Sequence, residues 1–224
     1  MRNYRFVDLS QPLYNGIPLA SVLPRFVLWP CLEKRVGDSV NSNAALISDH
    51  TGTHCDAPRH MFDDGKSVDQ FPIDAYSGPA VCLDVRHRDG MAITADDVKE
   101  AEAKAFREIQ AGDVGLLATN HSRLWRETPE GYEYLKNRPW IDPSAAEYFV
   151  EKGIKAIGID VGGPDPLGGT HIIHEMLLSR DILITESLCN LEQLIGKDFY
   201  FLAFPLKFTG SSGAPTRAVA MLEE

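Results

Sequence analysis

Cysteine is scarce and scattered. The chain has 4, Cys31, Cys55, Cys82 and Cys189, with no CxxC pair. That argues against a Cys-type zinc site and a disulfide frame, and for reduced thiols in a cytoplasmic protein. No apolar run approaches the length of a membrane span. The segment MRNYRFVDLS has neither an apolar h-region nor a small-residue cleavage site, so no secretory signal is expected. Positive charge is in deficit, with 22 Lys+Arg against 32 Asp+Glu and a net charge of −10. Such a surface repels phosphate backbones and anionic lipid, which excludes nucleic acid and membrane as expected partners. There is no GxSxG elbow of a serine hydrolase. There is no GxGxxG either: GIDVGGPDPLGG is glycine-rich and follows a strand pattern, but its prolines suit a loop better than a helix opening on phosphate. Repeats, low-complexity tracts and long polar linkers are also missing. With 224 residues the chain can bury one sizeable core, so residues 1–224 are read as one domain.

The pattern that is present alternates strands and helices in the middle and clusters strands at the ends. Residues 5–9 read as a strand, followed by the Pro/Gly loop QPLYNGIP. VNSNAALISDH reads as a strand leading into HTGTHCDAPRH, and PAVCLDV as another. Residues 93–110 read as the clearest helix, with Thr94 as N-cap, acidic residues in the first turn and a solvated charged face. DVGLLAT and KAIGIDV are short apolar runs bounded by turn residues, hence buried strands. Between them DPSAAEYFVEKG is a capped helix ending at Gly153. A third helix is expected from about His171 to Ser179, then the strand DILIT. YFLAFPLKF and TRAVAML close the chain as strands around TGSSGAP, which is read as a hairpin loop. This order predicts an α/β domain with a mixed sheet or partial barrel.

The chemistry concentrates in HTGTHCDAPRH, residues 50–60. On a strand, His50, Gly52, His54 and Asp56 share one face, while Thr51, Thr53 and Cys55 share the other. On a straight strand two histidines four apart are separated by roughly 13 Å, too far to share one ion. A bend at Gly52 shortens that span, and glycine inside a strand often marks a bulge. Histidine plus carboxylate suits zinc or manganese, and three protein ligands leave a position for water. His60 follows Ala57-Pro58, where proline fixes the backbone so that the imidazole can turn back as general base and acid. Cys55, on the opposite face, is expected to be buried and inert. Glu186 ends an apolar strand, and a carboxylate there wants a partner; the residues alone leave open whether that partner is an ion. His174 and His171 lie on one helix and are both candidates.

The same stretch closely resembles the HxGTHxDxPxH signature of the metal-dependent cyclase-like hydrolases, a group that includes bacterial kynurenine formamidases, isatin hydrolases and polyketide-associated cyclases. The resemblance extends to DLSQPL, GIDVGGPD, THIIHEMLL with ILITESLCNLEQL, and PLKFTGSSGAPTRAVAML. It implies a swivelling β/β/α fold, usually in a homodimer or larger assembly. It implies His50, His54 and Asp56 as metal ligands and His60 as proton acceptor and donor. It further implies a second ion at His174 and Glu186, which stand twelve residues apart, with Asp56 bridging. The chain departs from the formamidase branch in its N-terminal loop: YNGIPLASVLP has no tryptophan, with Trp29 the candidate replacement. LLATNHSRLW places Asn120 and His121 where the branch has a tryptophan; His121 is expected in a surface loop.

These readings converge on a cytoplasmic hydrolase that uses one or two Zn2+ or Mn2+ ions on small amides or esters. The alternatives are a cyclic-imide or lactone hydrolase and a non-catalytic metal-containing ligand-binding protein. Position 60 discriminates an enzyme from the binder, because a binder needs ligands but no proton shuttle, and His60 favours the enzyme.

Overall fold

A computed structural model describes residues 3–20, 22–88, 90–126 and 133–223. Its centre is a curled nine-stranded mixed sheet that forms a half-barrel. The strands are β1 (Tyr4–Asp8), β4 (His54–Asp56), β5 (Ser77–Asp84), β7 (Val114–Ala118), β9 (Ala156–Ile159), β10 (Leu183–Glu186), β11 (Phe199–Leu202), β12 (Gly213–Pro215) and β13 (Val219–Glu223). They run in the order β1-β13-β11-β5-β7-β9-β10-β4-β12. The middle four, β5-β7-β9-β10, are parallel, and every flanking pair is antiparallel. Strands β7, β9 and β10 are buried along their whole length. This is why their sequences read as continuous apolar runs without alternation.

Period-two geometry splits the apolar residues between two cores. Leu116, Cys82 and Ala80 face the inside of the curl with Phe199 and Phe201. Leu117, Val81 and Leu83 face the other side, with Val98, Phe149 and Leu177 from three helices. These are α1 (Ala95–Ala103), α2 (Pro143–Lys152) and α3 (Ile172–Leu178), the crossovers that a parallel sheet requires. Thr94 caps α1 through a reciprocal box with Asp97. Asp142 caps α2, and Gly153 ends it at φ 68°. No helix among the described residues is long and apolar enough to cross a membrane.

Several expectations need correction. The helix expected over 93–110 stops at Ala103, because the carboxylate of Glu102 turns inward. It accepts from Ile109 N at 2.7 Å and Lys152 Nζ at 2.9 Å, so this part of the charge run is buried and not solvated. VNSNAALISDH does contain a strand, β3 (Ser42–Leu46). It pairs with β2 (Val27–Leu32) as a separate exposed ribbon outside the main sheet. YFLAFPLKF keeps strand form only to Leu202. TGSSGAP is no simple hairpin loop, since β12 begins within it and pairs with β4. The two-residue strands β6 (Ala92–Ile93) and β8 (Trp140–Ile141) form a small parallel pair.

Candidate metal centre

The site lies where β4 joins the carboxyl end of the parallel strands, the usual place for ligands in α/β sheets. In the antiparallel register Glu186 stands opposite His54, and Ile184 opposite Asp56. Period two then puts His54, Asp56 and Glu186 on one face. The strand itself is only three residues long, so His50 belongs to the turn before it and not to a bent strand. Gly52, at φ 65°, makes that turn and folds His50 back. His50 Nδ1 then sits 2.7 Å from Asp56 Oδ1 and its Nε2 2.8 Å from Ser212 Oγ. Gly213 gives the ring room: a Cβ there would be 2.7 Å from His50 Cε1.

The other imidazoles are oriented from behind. His54 Nδ1 donates to the Gly52 carbonyl at 2.8 Å, which leaves Nε2 facing Asp56 Oδ1 at 3.3 Å and Glu186 Oε2 at 3.6 Å. His174, a ligand candidate from the resemblance, is buried on α3. Its Nδ1 donates to Asp165, and its Nε2 lies 3.1 Å from Glu186 Oε1 and 3.6 Å from Asp56 Oδ2. Two groups of side chains can each hold an ion, His50/His54/Asp56 and Asp56/His174/Glu186, and Asp56 belongs to both. A third group, Asp165/His171/His174, places exposed His171 at the rim, with Nδ1 3.7 Å from Asp165.

The electrostatics of the cluster call for positive charge. Burial by itself disfavours the charged form of His54, but the Asp56 and Glu186 carboxylates override it and raise the pKa to about 9. His174 is likewise raised despite burial, by Asp165, Asp56 and Glu186. Burial pushes Asp56 up, and its histidine neighbours more than reverse this and hold it well below the usual carboxylate range. Asp56 Oδ2 is buried with no hydrogen-bond partner among the described residues. A buried orphan carboxylate oxygen between two sets of imidazoles suits a divalent cation. His60 ends a short 3-10 turn opened by Pro58. Its ring centroid lies 4.1 Å from that of His50 and 5.3 Å from that of His174. Desolvation in the pocket lowers its pKa from the ordinary histidine value; Asp56 and Glu186 oppose this, and His50 and His174 reinforce it.

The cluster forms the floor of a cavity of about 550 Å³. Pro18, Leu19, Leu23, Trp125, Tyr134 and Arg138 also line it. Trp29 is exposed on β2 and does not line the cavity; Trp125, from LLATNHSRLW itself, does. His121 is not on a surface loop. It is buried, with Nε2 donating to the Tyr134 carbonyl at 3.2 Å. Cys55 is buried as expected, its thiol pushed up to about 12 by desolvation. Reading residue types near HTGTHCDAPRH misses Asp165, Tyr134 and Arg138, because only the fold brings them to the cavity.

A carboxylate shared by two groups of side chains that could hold an ion, with a further histidine beside them, fits the class of metal-dependent hydrolases. The chain belongs to the cyclase family: residues 7–166 match the family described as "Putative cyclase". Over 223 residues it is 32% identical to a kynurenine formamidase of Bacillus cereus, with 98% of each chain covered. Its backbone is similar to that of isatin hydrolase A from Labrenzia aggregata bound to benzyl benzoate, with a TM-score of 0.87 at 27% identity over 99% of this chain and 94% of that one. An isatin hydrolase bound to the product analogue thioisatinate gives a TM-score of 0.87 at 25% identity, covering 99% and 93%.

Proposed function

We propose that the protein hydrolyses the non-peptide C–N bond of small acyl amides, aryl formamides above all, at the Asp56-centred site. The observation that carries this reading is the buried carboxylate of Asp56, which faces His50 and His54 through Oδ1 and leaves Oδ2, without a hydrogen bond, 3.6 Å from His174 Nε2. His50, His54 and Asp56 would hold one divalent ion, zinc or manganese, and Asp56, His174 and Glu186 a second. The ions supply Lewis-acid polarisation of the acyl oxygen and a lowered pKa for water. Asp165 and the Gly52 carbonyl orient the imidazoles. The His60 ring lies beside those of His50 and His174 and belongs to neither ligand group; it takes the proton of the attacking water and returns it to the leaving nitrogen. The apolar wall holds the aryl body and excludes competing solvent.

A second reading, hydrolysis of a cyclic amide or lactone, draws support from the backbone likeness to isatin hydrolases. The same residues would serve it, with the released nitrogen or oxygen staying attached to the product. Turnover of formanilide, isatin and a simple lactone by the zinc- and manganese-loaded protein separates the two. The reduced cysteines support a cytoplasmic setting for a one-domain enzyme. The exposed Val27, Leu28 and Trp29 of β2 support a homodimer or larger assembly.

A further inference from the structure

Arg138 has no role in the mechanism above, yet it lies in the same cavity as the ligand cluster. Its position is built. Pro139 biases it toward extended backbone. Two residues later in β8, Ile141 N donates to the Pro164 carbonyl at 2.8 Å, which ties this segment to the glycine loop. Gly163 provides the niche: it sits at φ 112°, and a Cβ there would lie 3.1 Å from Arg138 Nη2 and 3.3 Å from Nη1. Nη1 donates to the Gly163 carbonyl, the one hydrogen bond the guanidinium makes among the described residues. A guanidinium has five N–H donors in a planar fork and does not lose its charge in proteins.

The nearby carboxylates do not satisfy it. Glu186 and Asp165 act on Arg138 only at a distance and are both held by His174. Beside it, the Tyr134 hydroxyl is buried and interacts with the Ser187 side chain. The cavity thus has apolar lining, a cluster of side chains that could hold an ion, and one guanidinium with surplus donors. Half-buried charge without a partner is costly, and a ligand carboxylate removes that cost through a bidentate pair.

We propose that Arg138 is a specificity-determining residue that binds a carboxylate on the substrate, so that the preferred substrates are aryl acyl amides bearing an anionic group. This rests on the hydrolase reading. It is tested by comparing formanilide with ortho- and para-formamidobenzoate, which keep the scissile bond and add a carboxylate. The metal-loaded wild type, Arg138→Met and Arg138→Lys are assayed for kcat and KM, with metal content and Tm measured alongside. The ratio of kcat/KM for the better anionic substrate over formanilide is expected to fall by about tenfold or more in Arg138→Met, mostly through KM, with partial recovery in Arg138→Lys. An unchanged ratio overturns the proposal while leaving the hydrolase reading intact. If the wild type cleaves none of the three, the hydrolase reading fails, and calorimetric binding of benzoate against benzamide still decides Arg138. Benzoate is expected to weaken about tenfold or more in Arg138→Met relative to benzamide, and equal affinity in both proteins overturns the assignment.

Discussion

Asp165 accepts a hydrogen bond from Nδ1 of His174, and this one contact decides which way the imidazole on α3 faces. With its proton on Nδ1, the ring turns the lone pair of Nε2 toward Asp56 and Glu186. Outer carboxylates of this kind typically contribute 10–100-fold to metal affinity. Asp165→Asn is expected to weaken the second divalent ion by about that factor. Competition with a coloured chelator measures it, and unchanged affinity for both ions would remove Asp165 from the account.

His60 is close to the cluster without joining any of its ligand groups. His60→Ala is therefore expected to keep the metal and lose about 10²–10⁴-fold in kcat. Asp56→Ala is expected to lose metal and activity together. Elemental analysis beside steady-state kinetics reads both, and full turnover by His60→Ala would rule out the proton shuttle.

Gly52 combines a left-handed backbone with a crowded surface. At φ 65° an L side chain is strained, and a Cβ would collide with the Leu13 side chain. Gly52→Ala is expected to cost about 1–3 kcal/mol in urea unfolding and to weaken metal binding by displacing His50.

Asp160 predicts a pH dependence of stability that is separate from the metal. It is buried at the end of β9 and accepts from Thr119 N at 2.9 Å and Thr119 Oγ1 at 2.6 Å. Burial outweighs these bonds and raises its pKa from 3.8 to about 6. Between those values the unfolded chain gives up the proton first, so stability falls as pH rises. The group's contribution is intact below about pH 4 and lost above about pH 6, a change of about 3 kcal/mol. Asp160→Asn should gain on wild type by up to about that amount between pH 4.5 and pH 8. Parallel unfolding curves at the two pH values would contradict it.

Local signals in the sequence carried far. The caps at Thr94, Asp142 and Gly153 depend on side chains within a few residues of their helix ends, so they are legible without the fold. HTGTHCDAPRH is legible for the same reason, since a glycine turn and a three-residue strand gather His50, His54 and Asp56. Long-range partners hid the rest. His121 is buried because it packs on Tyr134. The helix after Thr94 stops early because Glu102 bonds Ile109 and Lys152. Ser212 reaches His50 from 162 residues away, which nothing in TGSSGAP announces. The family resemblance supplied His174 and Glu186, which helix and strand patterns alone left open.

The central claim is that the Asp56-centred cluster holds the divalent ions on which hydrolysis depends. Metal-stripped protein titrated with zinc or manganese, with bound metal and formanilide turnover followed on the same samples, tests it most directly. The account predicts one or two ions per chain, activity that rises with the bound ion, and loss of both in Asp56→Ala. Undiminished hydrolysis by metal-free protein, or a chain that takes up neither ion, would contradict it.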